Sequence, residues 1–339
     1  MLKDILMELV SRLPYKSIMR RLYNQSNKYN FFLHTARASM RASLIEYLPN
    51  DHEIVLAKHF NLMDFVHKHE ISISDFSIVT SCNDMLLCRV IHNHDDCSTT
   101  ESLRLMNLVT GTYLTVGQDP LVEQGSSIRY AFGYSPSATR YKVLRFDIDK
   151  VIRRLSTVKI LTVNSRADDC NWRPIDTDKS DVYNEISEQI RFLVNPVVLN
   201  NSIHWIISST NKIVRFDLDK EEFELVPKPY DEDLTIGQLS VVGGSLSILA
   251  SHEKGRSDRV EAWVMKRYGV QESWTRLAVV NDFNIDAPLK LIRVLDNGKF
   301  LFQSNNGLSL YDPNDEKWDE KVIQVPMNNP VISSFSRSK

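Results

Sequence analysis

The sequence predicts a mainly β protein built from repeated sheet units, with one short helical segment ahead of them. Three observations carry this. Period-two apolar runs separated by turn residues begin near residue 77. An aromatic recurs on the last strand of each unit, and a helical apolar pattern is confined to the start of the chain.

The helical pattern comes first. In DILMELVSRLPYKS, Ile5, Leu6, Leu9, Val10 and Leu13 fall at i, i+1, i+4, i+5 and i+8, one face of a helix. Pro14 forbids continuation, and Ser17 with Ile18 reopens a second apolar pattern. So short a helix pair cannot bury its apolar face alone. It needs the rest of the chain or a partner.

The clearest sheet unit is SIHWIISSTNKIVRFDLDKEEFELVPKP, residues 202–229. Val214, Phe216 and Leu218 alternate with Arg215 and Asp217, and past a polar turn Phe223 and Leu225 alternate with Glu222 and Glu224. This reads as a hairpin with one buried face. The same plan recurs, with outer-strand aromatics at Tyr113, Trp172, Phe223, Trp274 and Trp318, spaced 59, 51, 51 and 44 residues apart. Turn residues opening the second strand stand at Asp84, Arg140, Asn201, Gly244 and Asn297. A period of roughly 40 to 60 residues with about four strands per unit is the signature of a β-propeller. A β-sandwich would not place one outer aromatic in each unit.

Five units are traceable, at about 77–116, 128–175, 195–227, 236–280 and 289–325. A sixth would join the C-terminal run PVISSF to strands within 53–75, such as EIVLAKHF. Six blades is therefore the reading, with five or seven open, and the division is a helical segment over 1–48 and a propeller over 53–335.

Composition narrows the function classes. Hydrophobic content of 42% and charged content of 25% are ordinary for a soluble globular protein, and four cysteines make no disulfide framework. No apolar run is long enough to span a membrane, and Asp4 and Glu8 stand where a leader would be apolar. A soluble protein of the cytoplasm or nucleus is expected. The net charge of −2 argues against nucleic acid as partner. Residues 1–50 hold eight Lys or Arg against three acids, which suits an acidic protein surface or a solvated basic helix face equally.

Chemistry is sparse. Cys82, Cys88, His92, His94 and Cys97 lie close in sequence, but C-x5-C-x3-H-x-H-x2-C fits no zinc template, so neither metal nor cofactor is expected. His204, between Ile203 and Trp205, reads as a sheet histidine with a partner rather than a base. The acidic cluster Tyr230–Asp233 reads as a solvated loop. No nucleophile elbow, P-loop, zinc-helix or dinucleotide fingerprint occurs, and no catalytic residue is assigned.

The repeat units resemble the plant F-box-associated domain. The resemblance rests on SCNDMLLC (81–88), MNLVTGTYLTV (106–116), FGYSPSATRYKVLRF (132–146), NPVVLNNSIHWI (195–206), VEAWVMKRYGVQESWTRL (260–277) and SLYDPNDEKW (309–318), in order. It implies a Kelch-like propeller preceded by an F-box, the helical hook that docks on the Skp-type adaptor of cullin-based ubiquitin ligases. SRLPYKS (11–17) and its helix then resemble that hook, with Ile5, Leu6, Leu9, Val10, Leu13, Pro14 and Ile18 as the implied adaptor contacts. Met1 and Leu2 stand where the F-box pattern opens with Leu-Pro, and Tyr29 replaces its tryptophan only with a one-residue insertion. The implied role is a non-catalytic substrate receptor of an SCF-type ligase. The alternative is an interaction propeller whose eroded F-box no longer joins a ligase. The target is not encoded in any motif. Loops 91–101, 117–127, 149–157, 176–194, 228–235, 252–258 and 281–288 are expected to gather on one face, with Trp172 and Tyr183 near the longest.

Overall fold

The structure is a computed structural model that describes residues 30–36, 41–48, 53–61, 73–82, 85–93, 99–107, 112–119, 126–149, 151, 154–163, 171–176, 182–183, 186, 196–252, 259–281, 290–295, 297–304, 307–319, 323–324 and 331–335. Among the described residues the chain forms six antiparallel sheets. They are taken here as blades in chain order. Blade 1 holds β4 (Ile73–Cys82), β5 (Met85–Asn93), β6 (Thr99–Asn107) and β7 (Thr112–Asp119). Blade 2 holds β8 (Ser126–Ser135), β9 (Arg140–Asp149), β10 (Arg154–Thr162) and β11 (Trp172–Pro174). Blade 3 holds β12 (Val197–Leu199), β13 (Ser202–Ile207), β14 (Lys212–Asp217) and β15 (Glu222–Val226). Blade 4 holds β16 (Thr235–Val242), β17 (Ser245–Ser251), β18 (Val260–Met265) and β19 (Trp274–Val280). Blade 5 holds β20 (Lys290–Val294), β21 (Phe300–Ser304), β22 (Gly307–Asp312) and β23 (Lys317–Trp318), with β24 (Ile323–Gln324) also pairing β22.

Blade 6 joins the two ends of the strand-bearing chain. Its order is β25 (Val331–Phe335), β1 (Asn30–Ala36), β2 (Arg41–Leu48) and β3 (Glu53–Asn61). The C-terminal run was expected there, and so was 53–60. The span 1–48 was expected to be helical, but residues 30–36 and 41–48 are strands, so the sheets begin at residue 30 rather than 53. Residues 73–75 belong to blade 1. The reason is long-range: β1 takes one ladder from β25, nearly 300 residues later, and no local period reveals such a partner.

The units divide into two compact bodies. One comprises residues 1–121 with 329–339, the other residues 122–328. The second, with blades 2–5, is described most fully.

Turn chemistry sets the hairpins. Leu199 pairs with Ser202 and Val242 with Ser245, leaving two residues in each turn. Those residues, Asn200 and Asn201 (φ 47° and 59°) and Gly243 and Gly244 (φ 56° and 77°), adopt the left-handed conformation that two-residue hairpins need. The third strand ends in an Asp for a different reason. Asp217 Oδ1 accepts the N–H groups of Asp219 (2.9 Å) and Lys220 (3.0 Å), and Asp312 Oδ1 accepts that of Asn314 (3.0 Å).

Within this body, blades 3 and 4 pack against a neighbour on both faces. Val214, Phe216, Leu218 and Phe223 of blade 3 pack with Leu144, Phe146 and Ile160 of blade 2 around Trp205. The opposite face of blade 3, through Ile213 and Val226, packs on Ile236, Leu246 and Ile248 of blade 4. One buried face was expected for the 202–229 hairpin, and Leu225 was placed on it. Leu225, on the outermost strand of the blade, is instead 45% exposed. Gly133 marks a close approach: a Cβ there would sit 2.5 Å from Leu218 Cδ1 of the next blade. Polar staples bind the same two blades. Lys142 Nζ donates to Glu221 Oε1 (2.8 Å), and Ser135 and Ser137 donate to Asp219 Oδ1 (2.5 and 2.7 Å).

Deleting residues 326–339 should strip β25 from β1 and leave an open sheet edge. Size-exclusion chromatography and thermal melting are expected to show aggregation or a large fall in Tm for the truncated chain.

Candidate recognition surface

The predicted adaptor contacts Ile5, Leu6, Leu9, Val10, Leu13, Pro14 and Ile18 lie outside the described residues. Blades 2–5 allow a recognition surface to be built from the loops.

The 227–234 connection, which leaves β15 and enters β16, is the best-formed of the predicted loops. Pro227 and Pro229 prevent it from extending the β15 ladder. Its start is held from blade 4: Trp274 Nε1 donates to Pro227 O and Gln271 Nε2 to Lys228 O, each at 2.9 Å. Its end is held from within blade 3, where Asn211 Nδ2 donates to Leu234 O (2.6 Å) and Asn211 Oδ1 accepts from Ile236 N (2.8 Å). Asp231 Oδ1 accepts the Asp233 N–H at 3.1 Å and rounds the bend. Between these anchors Tyr230 stands 66% exposed, its hydroxyl donating to Glu272 Oε1 at 2.5 Å. That bond lowers the Glu272 carboxyl and raises the Tyr230 phenol relative to their ordinary ranges. The result is an aromatic ring fixed at both ends of its loop and presented to solvent, the form of an interface anchor.

The expected gathering of loops is met in part. His252, the first residue past β17, lies 3.7 Å from Asp231 of the 228–235 loop, and residues 253–258 lie outside the described residues. Val151, in the β9–β10 turn, is 82% exposed. The 176–194 loop differs. Of its described residues, Asp176 is exposed, while Val182, Tyr183 and Ile186 pack inward on the core between blades 2 and 3, with Tyr183 beside the Phe223 ring. Trp172 is likewise half-buried, its ring 6.3 Å from Tyr130. These two aromatics serve packing.

The outer-strand aromatics explain how loops are fastened. Trp318 Nε1 donates to Asn281 O (3.1 Å), the first carbonyl past β19, as Trp274 Nε1 does to the first carbonyl past β15. Strand twist accumulates across four strands, and it brings the end of one outer strand to the start of the next. Phe223 has no N–H and makes no such clasp.

Beneath the 266–273 connection lies a buried polar chain. His204 Nε2 and Tyr268 OH are 2.5 Å apart, and Arg215 sits over the Tyr268 ring at 5.6 Å while binding Glu224 (2.5 Å). Burial pushes His204 down to about 4, so it is neutral at physiological pH. In that state the direction of its hydrogen bond with the Tyr268 hydroxyl is set by the imidazole tautomer. Burial raises the Tyr268 phenol. The polar chain has the chemistry of a tie between blades 3 and 4. Of the metal-like residues, Cys82 and Cys88 are buried, Cys88 Sγ donates to Met106 Sδ at 3.5 Å, and His92 Nε2 lies 3.0 Å from Ser102 Oγ. His94 and Cys97 lie outside the described residues, among which no group of three metal ligands occurs. Nor, among them, is any helix long and apolar enough to cross a membrane.

Residues 36–336 match the F-box associated beta propeller domain. The chain belongs to that family. Among curated relatives, F-box protein At3g07870 of Arabidopsis thaliana is 26% identical over 92% of this chain and 84% of its own length. F-box protein CPR1 of the same plant is 29% identical over 54% of this chain, which spans about half (49%) of that relative. F-box/kelch-repeat protein At3g23880 is 23% identical over 70% of this chain and 61% of its own length. The family reading made from six ordered motifs is thereby established. Sequence reasoning missed His252, and also Glu272 although it lies within the 260–277 motif, since both reach a loop in another part of the chain and the contact leaves no local signal.

A histidine buried neutral makes stability depend on acid. The unfolded chain protonates near 6.5 and the folded chain near 4, so stability is full above about pH 6.5 and falls as pH drops toward 4. The loss from this residue should reach about 3 kcal/mol. Urea titrations across that window should show a shallower slope for His204→Asn than for the unmodified chain.

Proposed function

We propose that this chain is the substrate-recognition subunit of an SCF-type, cullin-based E3 ubiquitin ligase. The supporting observation is the order of its parts: a helix-period apolar sequence pattern leading into the SRLPYKS span, ahead of an F-box associated domain at 36–336. Relatives named F-box proteins cover most of the chain. In this reading Ile5, Leu6, Leu9, Val10, Leu13, Pro14 and Ile18 bind a Skp-type adaptor and, through it, a cullin. The blades hold a target protein, with the fixed ring of Tyr230 as one contact. The chain performs no bond chemistry. It raises the effective concentration of target near a ubiquitin-charged enzyme. Neither cofactor, nucleic acid nor membrane enters this role, and a reducing cytoplasmic or nuclear compartment fits a sequence whose four cysteines make no disulfide framework.

A second reading has its own support. Tyr29 stands in place of the F-box tryptophan, and losing a large buried anchor costs an interface typically about 3 kcal/mol. An interaction propeller outside any ligase would retain target binding and lose the adaptor.

Co-purification with adaptor and cullin separates the two. Binding at micromolar concentration is expected for the unmodified chain. Leu13→Ala with Pro14→Ala should weaken it by ~2–4 kcal/mol and leave the melting of the blades unchanged. No adaptor binding by the unmodified chain would favour the second reading. Undiminished binding by the double variant would show that the contacts lie elsewhere.

A further inference from the structure

Residues 227–230 of blade 3 are gripped by three side chains of blade 4 that lie within four positions of one another. Gln271 Nε2 binds Lys228 O, Glu272 Oε1 takes the Tyr230 hydroxyl proton, and Trp274 Nε1 binds Pro227 O. Ser273, the fourth residue of this run, bonds within its own connection instead. It is 7% exposed and ends the 3₁₀ turn Gln271–Ser273. Its hydroxyl accepts the Arg267 N–H at 3.0 Å and shares its one proton between Arg267 O (2.8 Å) and Val270 O (2.7 Å). Its backbone closes the same ring: Ser273 N–H donates to Val270 O, and Lys266 N–H to Ser273 O, each at 3.1 Å. A 3₁₀ turn has poorer hydrogen-bond geometry than an α-helix, so side-chain ties of this kind decide its shape. Gly269, at φ 79° with its N–H 3.0 Å from Met265 Sδ, lets the connection turn back on itself.

From this arrangement we infer that Ser273 is a positioning residue of the recognition surface, holding Gln271, Glu272 and Trp274 where they fix the Tyr230 ring of the neighbouring blade. The bonds of its hydroxyl stay within 266–273, so it acts on that ring only through its neighbours. Loss of one buried hydroxyl therefore loosens three grips together. The surface is composite: blade 3 supplies the ring and blade 4 its orientation. The consequence for target binding rests on the receptor reading, whereas the positioning itself does not.

Replacing Tyr230 by 3-fluorotyrosine in the full chain lets ¹⁹F NMR read the ring with no target or adaptor present. In the otherwise unmodified chain the resonance should lie away from its position in urea-unfolded protein. Ser273→Ala should move it toward that position and narrow the line by about a third, the fall in order that separates a rigid group from a flexible one. Ser273→Cys, whose thiol bonds weakly, should act in the same direction and serves where the alanine variant does not fold. Glu272→Ala, on the surface, should free the ring directly. Ser240→Ala removes another buried hydroxyl of blade 4, one bonded to Leu291 O at 2.8 Å, and should leave the signal unchanged. A resonance already at the unfolded position before any substitution would overturn the inference. So would a signal unmoved by the Ser273 or Glu272 variants, or one moved equally by Ser240→Ala, which would mark general loosening. Adaptor binding is read separately, and its failure would count against the receptor reading alone.

Discussion

A four-stranded antiparallel sheet with large apolar side chains on both faces cannot remain in water as a single layer. In the body formed by residues 122–328, every sheet therefore lies between neighbours or presents its apolar face to one. Phe146 from blade 2 and Trp205 and Phe216 from blade 3 share one cluster, with Trp205 and Phe146 edge to face at 6.0 Å. Fully burying side chains of this kind contributes roughly 1.5–3 kcal/mol each. Leu249 and Ala262 of blade 4 repeat the arrangement with Phe300, Phe302 and Tyr311 of blade 5. The remaining features follow from this requirement: Gly133 lets sheets approach, the Asp219 staple fixes their angle, and the indole clasps secure the outer rim.

This division of labour places recognition outside the cores. The strands are occupied with packing, and polar residues within them, such as His204 and Lys142, are tied to adjacent sheets. What projects from blades 2–5 is a small set of fastened connections. Tyr230 is the clearest of these because four hydrogen bonds hold the two ends of its loop. A fixed aromatic ring loses little conformational entropy on binding, which suits a receptor that must hold a protein surface.

Much of the fold was legible in the sequence. The strand alternation around Val214 and Phe216, the Asn-Asn and Gly-Gly turns, and the recurrent aromatics locate five blades and the C-terminal contribution to a sixth. These signals are local, so a linear reading detects them. β1 and β2 fell within the span assigned to helix, although they pair with each other and β2 with β3; the distant partner is β25 on the other side of β1. The exposure of Leu225 was missed because alternation distinguishes two faces but not how far each position is covered. The recognition surface was legible only as a set of loops. Tyr183 resembles an exposed loop aromatic in sequence, yet it packs on Phe223, whereas Tyr230 lies within an acidic stretch that reads as solvated. The Glu272 bond that fixes Tyr230 spans 42 residues and leaves no local trace.

The central claim is that successive sheets stabilise one another face to face. A double-mutant cycle between Phe146 and Trp205, each replaced by Leu in the full chain and followed by urea unfolding, tests it most directly. The account predicts a favourable coupling of about 0.5–1.5 kcal/mol between the two rings, on top of the loss from each substitution. Strictly additive losses, within about 0.3 kcal/mol, would contradict it.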